Sequence, residues 1–369
     1  MSSGLVNREV AAMMGVIDTY SRYKGVNGRP RNYKVYHPSA LGKCLRLMQY
    51  QRFSEDGIAG LSLSKEPFES KTMRIFDTGH SMHDRWVDYW AEVGVLRGVW
   101  QCKNPLCRAF DDEGEFLGTD KVNEINELRV TMSKETPVEA YEIGADPEKG
   151  RARASLLPRK YGKENKIGIF QPKACKCGCC EFDYHEVNVV DEDLNLFGHA
   201  DQILDFSNFD VDQYSKDDGS HVAVDRTFDP RDLPKTPIVA DMKTINDRRY
   251  GSLIKNGPGL DYKVQLKVYC NILDVDYGVL IYENKNTSET ASFKVERSSE
   301  VDWPIVKRQI KQMNKMYDKK KLPPPRPTRK DSYDCKYCDY KDICHNSKVW
   351  SDPELSQKRI NFYGRLLEG

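Results

Sequence analysis

In PIVADMKTIND (Pro237 to Asp247) a carboxylate, Asp241, stands two residues from a lysine, Lys243, inside an apolar run. In LFGHADQILDF a second carboxylate, Asp201, falls between Phe197 and Ile203. Carboxylates are costly to bury without a partner. If the two segments are paired strands, Asp201 and Asp241 stand at comparable heights and repel unless a cation sits between them. Hard oxygen ligands of this kind suit Mg2+ or Mn2+. Lys243 has the side-chain parity of Asp241, so both point to one face of the strand. An ammonium there can orient or deprotonate a water, or stabilise charge building on a phosphate. For D-x-K taken alone, a structural Asp–Lys pair is the better reading.

The eleven cysteines carry a different chemistry. In a reducing compartment they point to metal sites more than to disulfides. CKYCDYKDIC is C-x2-C-x5-C, formed by Cys335, Cys338 and Cys344: three thiolates that need a fourth. A second set is Cys102 and Cys107 in CKNPLC, with Cys175, Cys177, Cys179 and Cys180 in CKCGCC. Two tight cysteine groups separated by an insertion describe a zinc ribbon or knuckle. Cys180 is its firmest later member, partnered by Cys177 in C-x2-C spacing or by Cys175 in the spacing of the first pair. Cys270 is most simply a small core residue.

The elements that must position these groups can be read from periodicity. Helices are predicted from about Leu5 to Tyr20, through HPSALGKCLRLMQYQRF with Ser39 as N-cap, and from about Arg74 to Val93. In the last of these His83, Trp86 and Trp90 share one face, and Gly79, one turn earlier, lets another element approach. The polar, weakly periodic stretch from about Asp111 to Lys166 reads as an insertion with a mobile part. Strands are expected at 181–190, 194–206, 236–244, 277–284 and 290–295, with the helix YKVQLKVYCNIL between the third and fourth. That order implies an α/β core, a mixed central sheet flanked by helices. Asp302 caps a helix with an apolar stripe of Val306, Ile310, Met313 and Tyr317, and LPPPRP ends it. The implied domains are 1–98 (helical, with Cys44 and His83), 99–185 (zinc-binding insertion), 186–300 (core) and 301–369 (basic helix and cysteine module).

Hydrophobic residues make up 39% of the 369, enough for a full core, and the 31% that are charged nearly cancel to +1. The balance is uneven: Ile305 to Lys330 holds ten Lys/Arg against one acid, Asp318. Lys307, Arg308, Lys311 and Lys315 can build a phosphate-binding surface there, although a charge run is more often a solvated face. No apolar run approaches the ~20 residues of a membrane span. Asn7, Arg8 and Glu9 interrupt the apolar start that a secretory signal needs. The chain reads as cytoplasmic, in the host cytoplasm if viral. It has no internal repeat and no G-x-x-x-x-G-K-[ST] phosphate loop, so a helicase or recombinase in trans is the expected motor.

Four motifs in order change the weight of D-x-K: G-x-x-x-H (Gly79 to His83), G-H-A-D (Gly198 to Asp201), V-A-D-M-K-T (Val239 to Thr244) and Q-x-x-x-Y (Gln265 to Tyr269). The series resembles the RecB-like branch of the PD-(D/E)XK nuclease superfamily, closest to compact exonucleases of phages and of CRISPR adaptation, with gaps from about Pro38 to Cys344. The resemblance implies a restriction-endonuclease-like core and an Mg2+- or Mn2+-dependent deoxyribonuclease. It implies His83, Asp201, Asp241 and the Met242 carbonyl as metal ligands, and Lys243 as the catalytic lysine. Gln265 and Tyr269 would contact substrate or steady that lysine. Cys44 in PSALGKCLR matches the distant fourth cysteine of iron–sulfur members, which implies a four-iron cluster joining the two ends of the chain. Four thiolates can equally hold zinc.

The expected activity is therefore hydrolysis of DNA, single-stranded or at duplex ends, by an exonuclease of replication, recombination or repair. YENKNT (Tyr282 to Thr287) follows its strand in the manner of phage members and points to a viral origin. Two rivals are a DNA-binding scaffold with a decayed nuclease core and a CRISPR-type DNA-trimming nuclease. Decay usually removes the acid pair or the lysine, and all three are present. The segment between Asp201 and Asp241, including DVDQYSKDDGS, departs from the compact pattern as a surface insertion.

Overall fold

The computed structural model describes residues 8–27, 31–57, 68–104, 160–175, 179–210, 229–297, 303–324, 333–336 and 338–345. The helices are α1 (Arg8–Asn27), α2 (Pro38–Leu41), α3 (Leu45–Glu55), α4 (Ser70–Val93), α5 (Asp247–Asn256), α6 (Leu260–Leu273), α7 (Trp303–Asp318), α8 (Tyr333–Lys336) and α9 (Lys341–His345). The strands are β1 (Leu96–Cys102), β2 (Lys160–Tyr161), β3 (Ile169–Phe170), β4 (Phe182–His185), β5 (Val187–Asp191), β6 (Leu196–Ala200), β7 (Gln202–Leu204), β8 (Ile238–Ile245), β9 (Tyr277–Asn284) and β10 (Thr290–Glu296). The class is mixed α/β, a mixed sheet with flanking helices. The chain divides into two compact units: Met1–Trp86, Val189–Gly198 and Ala240–Gly369 form one, Val87–Asn188 and His199–Val239 the other.

In the first unit β10, β9 and β8 lie side by side, with β9 and β10 antiparallel from Tyr277↔Glu296 to Glu283↔Thr290. Its core gathers Leu41, Leu45, Leu196, Val264, Val268, Ile310 and Met313 from α2, α3, β6, α6 and α7. Each such side chain contributes about 1.5–3 kcal/mol on burial. Val306, Ile310 and Met313 recur at helical spacing and are 1–3% exposed, which is why α7 forms and which face it buries. Polar groups beside this core find partners across it through their guanidinium ends. Arg52 donates to the Tyr36 hydroxyl (3.0 Å) and to Asn314 Oδ1 (2.7 Å), and Arg46 donates to the Pro323 carbonyl (2.8 Å). The Arg52–Asn314 bond ties α3 to α7.

In the second unit β1 is the hub. It pairs antiparallel with β7, β2, β3 and β4, with Cys102 opposite Phe182 and Val99 opposite His185. Leu96, Trp100 and Cys102, on its buried face, are each at most 2% exposed, the period of two expected of a half-buried strand. Arg97, on the other face, is anchored by the Asp205 carboxylate and the Gly168 carbonyl, both at 2.9 Å.

The structure corrects several sequence expectations. Helix α1 ends at Asn27, well past Tyr20. The segment HPSALGKCLRLMQYQRF is two helices, not one: Cys44 sits in an extended conformation between them and is the N-cap of α3. Ser39 is therefore not an N-cap; His37 precedes α2, with Pro38 in its first turn. The expected strands at 181–190 and 194–206 are each broken once, at Glu186 and at Asp201. The residues at the junction of the expected helical part and the insertion form a strand, β1. Asp302, Cys107, Cys177, most of the insertion and DVDQYSKDDGS beyond Asp210 lie outside the described residues.

Candidate active site and cysteine clusters

In the first unit β8 supplies the acid and the lysine. Its first five residues are buried and its last three half-buried, so the strand leaves the interior near Lys243. Asp241 is 0% exposed, and the Lys243 ammonium lies 2.5 Å from its Oδ1. Period-two alternation puts both on one face, as expected. The lysine side chain keeps 22% of its surface and also lies over the Tyr262 ring, 5.4 Å from the centroid. Burial, followed by the negative charges of Tyr262 and Asp241, holds the Tyr282 phenol well above its usual range. Tyr262 and Tyr282, 6.3 Å apart edge to face, thus border the pair; the sequence motifs include neither.

Gln265 and Tyr269, one turn apart on α6, are 6% and 3% exposed. The Gln265 amide donates to the Tyr269 hydroxyl at 3.1 Å. The Tyr269 ring lies under Gly198 of G-H-A-D: a Cβ there would meet Tyr269 Cε1 at 3.6 Å and Pro38 Cδ at 2.8 Å. Any larger residue would push α2 off the hairpin of β5 and β6. His83 is half-buried on α4, four residues beyond Gly79, where an added Cβ would stand 3.8 Å from Thr244 Oγ1 of β8, in ordinary contact.

Asp201 belongs to the second unit. It interrupts β6 and β7, and the Tyr184 hydroxyl donates to its carbonyl at 2.8 Å. Beside it stands a residue that sequence reasoning missed. A carboxylate oxygen of Glu186 lies within 4.8 Å of one of Asp201. β5 begins directly after Glu186, β6 ends directly before Asp201, and β5 pairs with β6, so the hairpin brings both acids to its open end. Facing carboxylates are acceptor-only groups that repel, and a hard divalent cation suits such a donor set. Burial pulls the neighbouring His199 below its ordinary pKa, with the Asp201 charge opposing.

The C-terminal cysteines and Cys44 all lie in the first unit. Burial pushes the Cys338 thiol up to about 11, and the thiols of Cys44, Cys335 and Cys344 add to the shift. All four are half-buried, with no disulfide among the described cysteines. Tyr340, between Cys338 and Cys344, stacks on Tyr50 of α3 at 5.0 Å, which seats the trio beside the helix that Cys44 caps. The Cys338 thiol thus lies within electrostatic reach of Cys44, from the other end of the chain, and of Cys335 and Cys344. His345 takes no assigned part.

In the second unit Cys102 and Cys175 are 0% and 5% exposed. Cys179, favoured by neither spacing in the sequence, donates to the Glu181 carbonyl at 3.5 Å, and burial pushes its thiol up, with the nearby Cys102 adding to the shift. The Cys175 amide donates to the Cys179 carbonyl at 2.7 Å, which holds these two cysteines side by side. Cys180 is exposed. Cys270 is fully buried, its thiol pushed up to about 12 by burial, as a core residue would be. On α7, Arg308, Lys311 and Lys315 are exposed at i, i+3 and i+7, while Lys307 is half-buried over Trp303 at 5.6 Å.

No helix among the described residues is long and apolar enough to cross a membrane. No curated protein matches the chain. A solved structure described as "Crystal structure of SSO0001" is 11% identical, covering 90% of this chain and 96% of that one at a TM-score of 0.36, too loose to bear on fold or function. The family comparison is specific: residues 220–345 match the PD-(D/E)XK nuclease superfamily. That span holds the buried Asp241–Lys243 pair, Gln265, Tyr269 and the C-terminal cysteines, and it is a PD-(D/E)XK nuclease superfamily domain.

Proposed function

We propose that the chain is a metal-dependent deoxyribonuclease, and specifically an exonuclease, that hydrolyses phosphodiester bonds in DNA replication, recombination or repair. The observation that carries this reading is the fully buried Asp241 with the Lys243 ammonium 2.5 Å away, at the point where β8 leaves the core inside the superfamily match. His83, Asp201, Asp241 and the Met242 carbonyl are the proposed ligands of Mg2+ or Mn2+. When bound, such an ion acidifies a coordinated water and offsets charge developing on the phosphate. Lys243 holds its proton at Nζ and places positive charge where the phosphate gains negative charge. Gln265 and Tyr269 are proposed to contact substrate or steady Lys243.

The cysteines at 44, 335, 338 and 344 are proposed to hold a 4Fe–4S cluster that clasps the chain ends. Cys102, Cys175 and Cys179, with Cys107, Cys177 or Cys180, are proposed to hold zinc. Arg308, Lys311 and Lys315 are the proposed DNA track, with Lys307 beside it, and a helicase or recombinase is the proposed partner. Purified protein with Mn2+ and labelled linear single-stranded, linear duplex and circular DNA tests the reading. Linear DNA should shorten from its ends and circular DNA survive. Cleavage of circles at the linear rate would refute the exonuclease assignment, and inertness on every substrate the nuclease itself.

A further inference from the structure

The end of β9 holds two buried polar residues that the proposed chemistry does not use. Glu283 is 1% exposed and Asn284 is 0% exposed. A carboxylate so placed is tolerated only with good partners. Glu283 finds them on consecutive residues of one helix: Arg85 donates to its Oε1, and the Trp86 indole Nε1 donates to its Oε2 at 2.6 Å. Consecutive helical residues project about 100° apart. One carboxylate gripping both therefore fixes the rotation of α4 about its axis as well as its height along the sheet.

Asn284 extends the tie to the neighbouring strand. Its side-chain amide donates to Asp247 Oδ1 at 3.0 Å, and the Asp247 backbone amide donates to Asn286 Oδ1 at 3.1 Å. Asp247 opens α5 directly after β8. The strand that carries Asp241 and Lys243 and the helix that carries His83 are thus tied to the same end of β9. His83 stands three residues before Trp86 on the same helix, so the grip of Glu283 on Trp86 lies within one turn of it.

We infer that Glu283 is a positioning residue for the metal site, setting the rotation of α4 and with it the presentation of His83. The inference rests on the proposed reading of His83 as a metal ligand. Glu283→Gln keeps the shape and removes the charge; Trp86→Phe keeps the ring and removes the donor. Mn2+ affinity, read by electron paramagnetic resonance on protein shown folded by circular dichroism, should fall about tenfold in each, the range seen when supporting groups of a metal site are altered. The double variant should bind Mn2+ no worse than the weaker single variant, because both act through one interaction. DNA affinity without metal should not change. His83→Ala, measured alongside, separates the two claims. If His83→Ala weakens Mn2+ binding while Glu283→Gln and Trp86→Phe stay within twofold of the parent, the positioning role is wrong. If His83→Ala binds Mn2+ as the parent does, the ligand reading of His83 is wrong and this inference goes with it. Should Glu283→Gln fail to fold, the Trp86→Phe affinity decides.

Discussion

The Asp241–Lys243 pair makes an unequal prediction for its two partners. Asp241 has no exposed surface, whereas 22% of the Lys243 side chain reaches solvent. At 2.5 Å and an effective dielectric near 20, the gross attraction is about 7 kcal/mol. Desolvation of the carboxylate cancels much of it, and breaking such a buried pair costs about 3–5 kcal/mol when the remaining charge stays buried. Lys243→Met leaves Asp241 buried and uncompensated, so the full cost applies and the metal-free protein should melt roughly 10 °C lower. Asp241→Asn leaves an ammonium that can turn to water, and its cost should stay below about 2 kcal/mol.

Excess Mn2+ should restore most of the stability of Lys243→Met, because a divalent ion at Asp241 replaces the missing charge, and little of that of Asp241→Asn. Neither variant should cleave DNA, while both should bind it. Melting curves with and without Mn2+, beside cleavage of end-labelled linear DNA, read all of these quantities. A purely structural pair gives another pattern: no rescue of Lys243→Met by Mn2+, and residual activity in both variants that tracks the folded fraction. That outcome would refute the reasoning.

The other expectations concern the metals and the DNA. Freshly prepared protein should contain iron and sulfide, and Cys44→Ser should lose the iron, keep the zinc and unfold more readily; elemental analysis finding only zinc, at about two per chain, would exclude the iron–sulfur cluster. Zinc should fall in Cys179→Ser, whose thiol lies within electrostatic reach of Cys102, and persist in Cys179→Ser only if the second cluster is built from other thiols, which the same elemental assay reports. Reversing Lys311 and Lys315 should flatten the dependence of duplex DNA affinity on salt, by about 0.9 in the logarithmic slope for each phosphate left without its cation. An unchanged slope would return α7 to the status of a solvated helix.

What was legible in the sequence was whatever a short period dictates. The strand period of two put Asp241 and Lys243 on one face, and the helical period put Val306, Ile310 and Met313 into the core; both are observed. β9 and α6 were equally plain, being apolar and bounded by turn residues. What was missed depends on the chain folding back. Glu186 reads in isolation as an outward position of a strand, and only the β5–β6 hairpin sets it beside Asp201. CKCGCC offers four thiols in six residues, and spacing cannot say that Cys179, bonded through its carbonyl to the Cys175 amide, will lie near Cys102. β1 was obscured because Arg97 and Gln101 occupy its other face and Gly98 one of its buried positions, leaving too few apolar residues to show the alternation. YENKNT drew notice as a string, yet its use, the grip of Glu283 on α4, lies 197 residues away in sequence.

The same electrostatics connects the resting protein to the proposed reaction. Without a divalent ion, Lys243 is the cation that makes a fully buried Asp241 tolerable, and the two are held together. A divalent ion at Asp241 supplies that compensation from another direction and weakens the hold on the ammonium. Lys243 is already part-exposed and has the Tyr262 face within cation–π range, so its release leaves the charge in a supported position at the strand end. On this reading metal binding and readiness of the lysine are one event: the ion that completes the site also frees the ammonium to meet a phosphate. The exposed side of Lys243 opens at the place where β8 leaves the core, which is where an approaching phosphate can meet the freed ammonium.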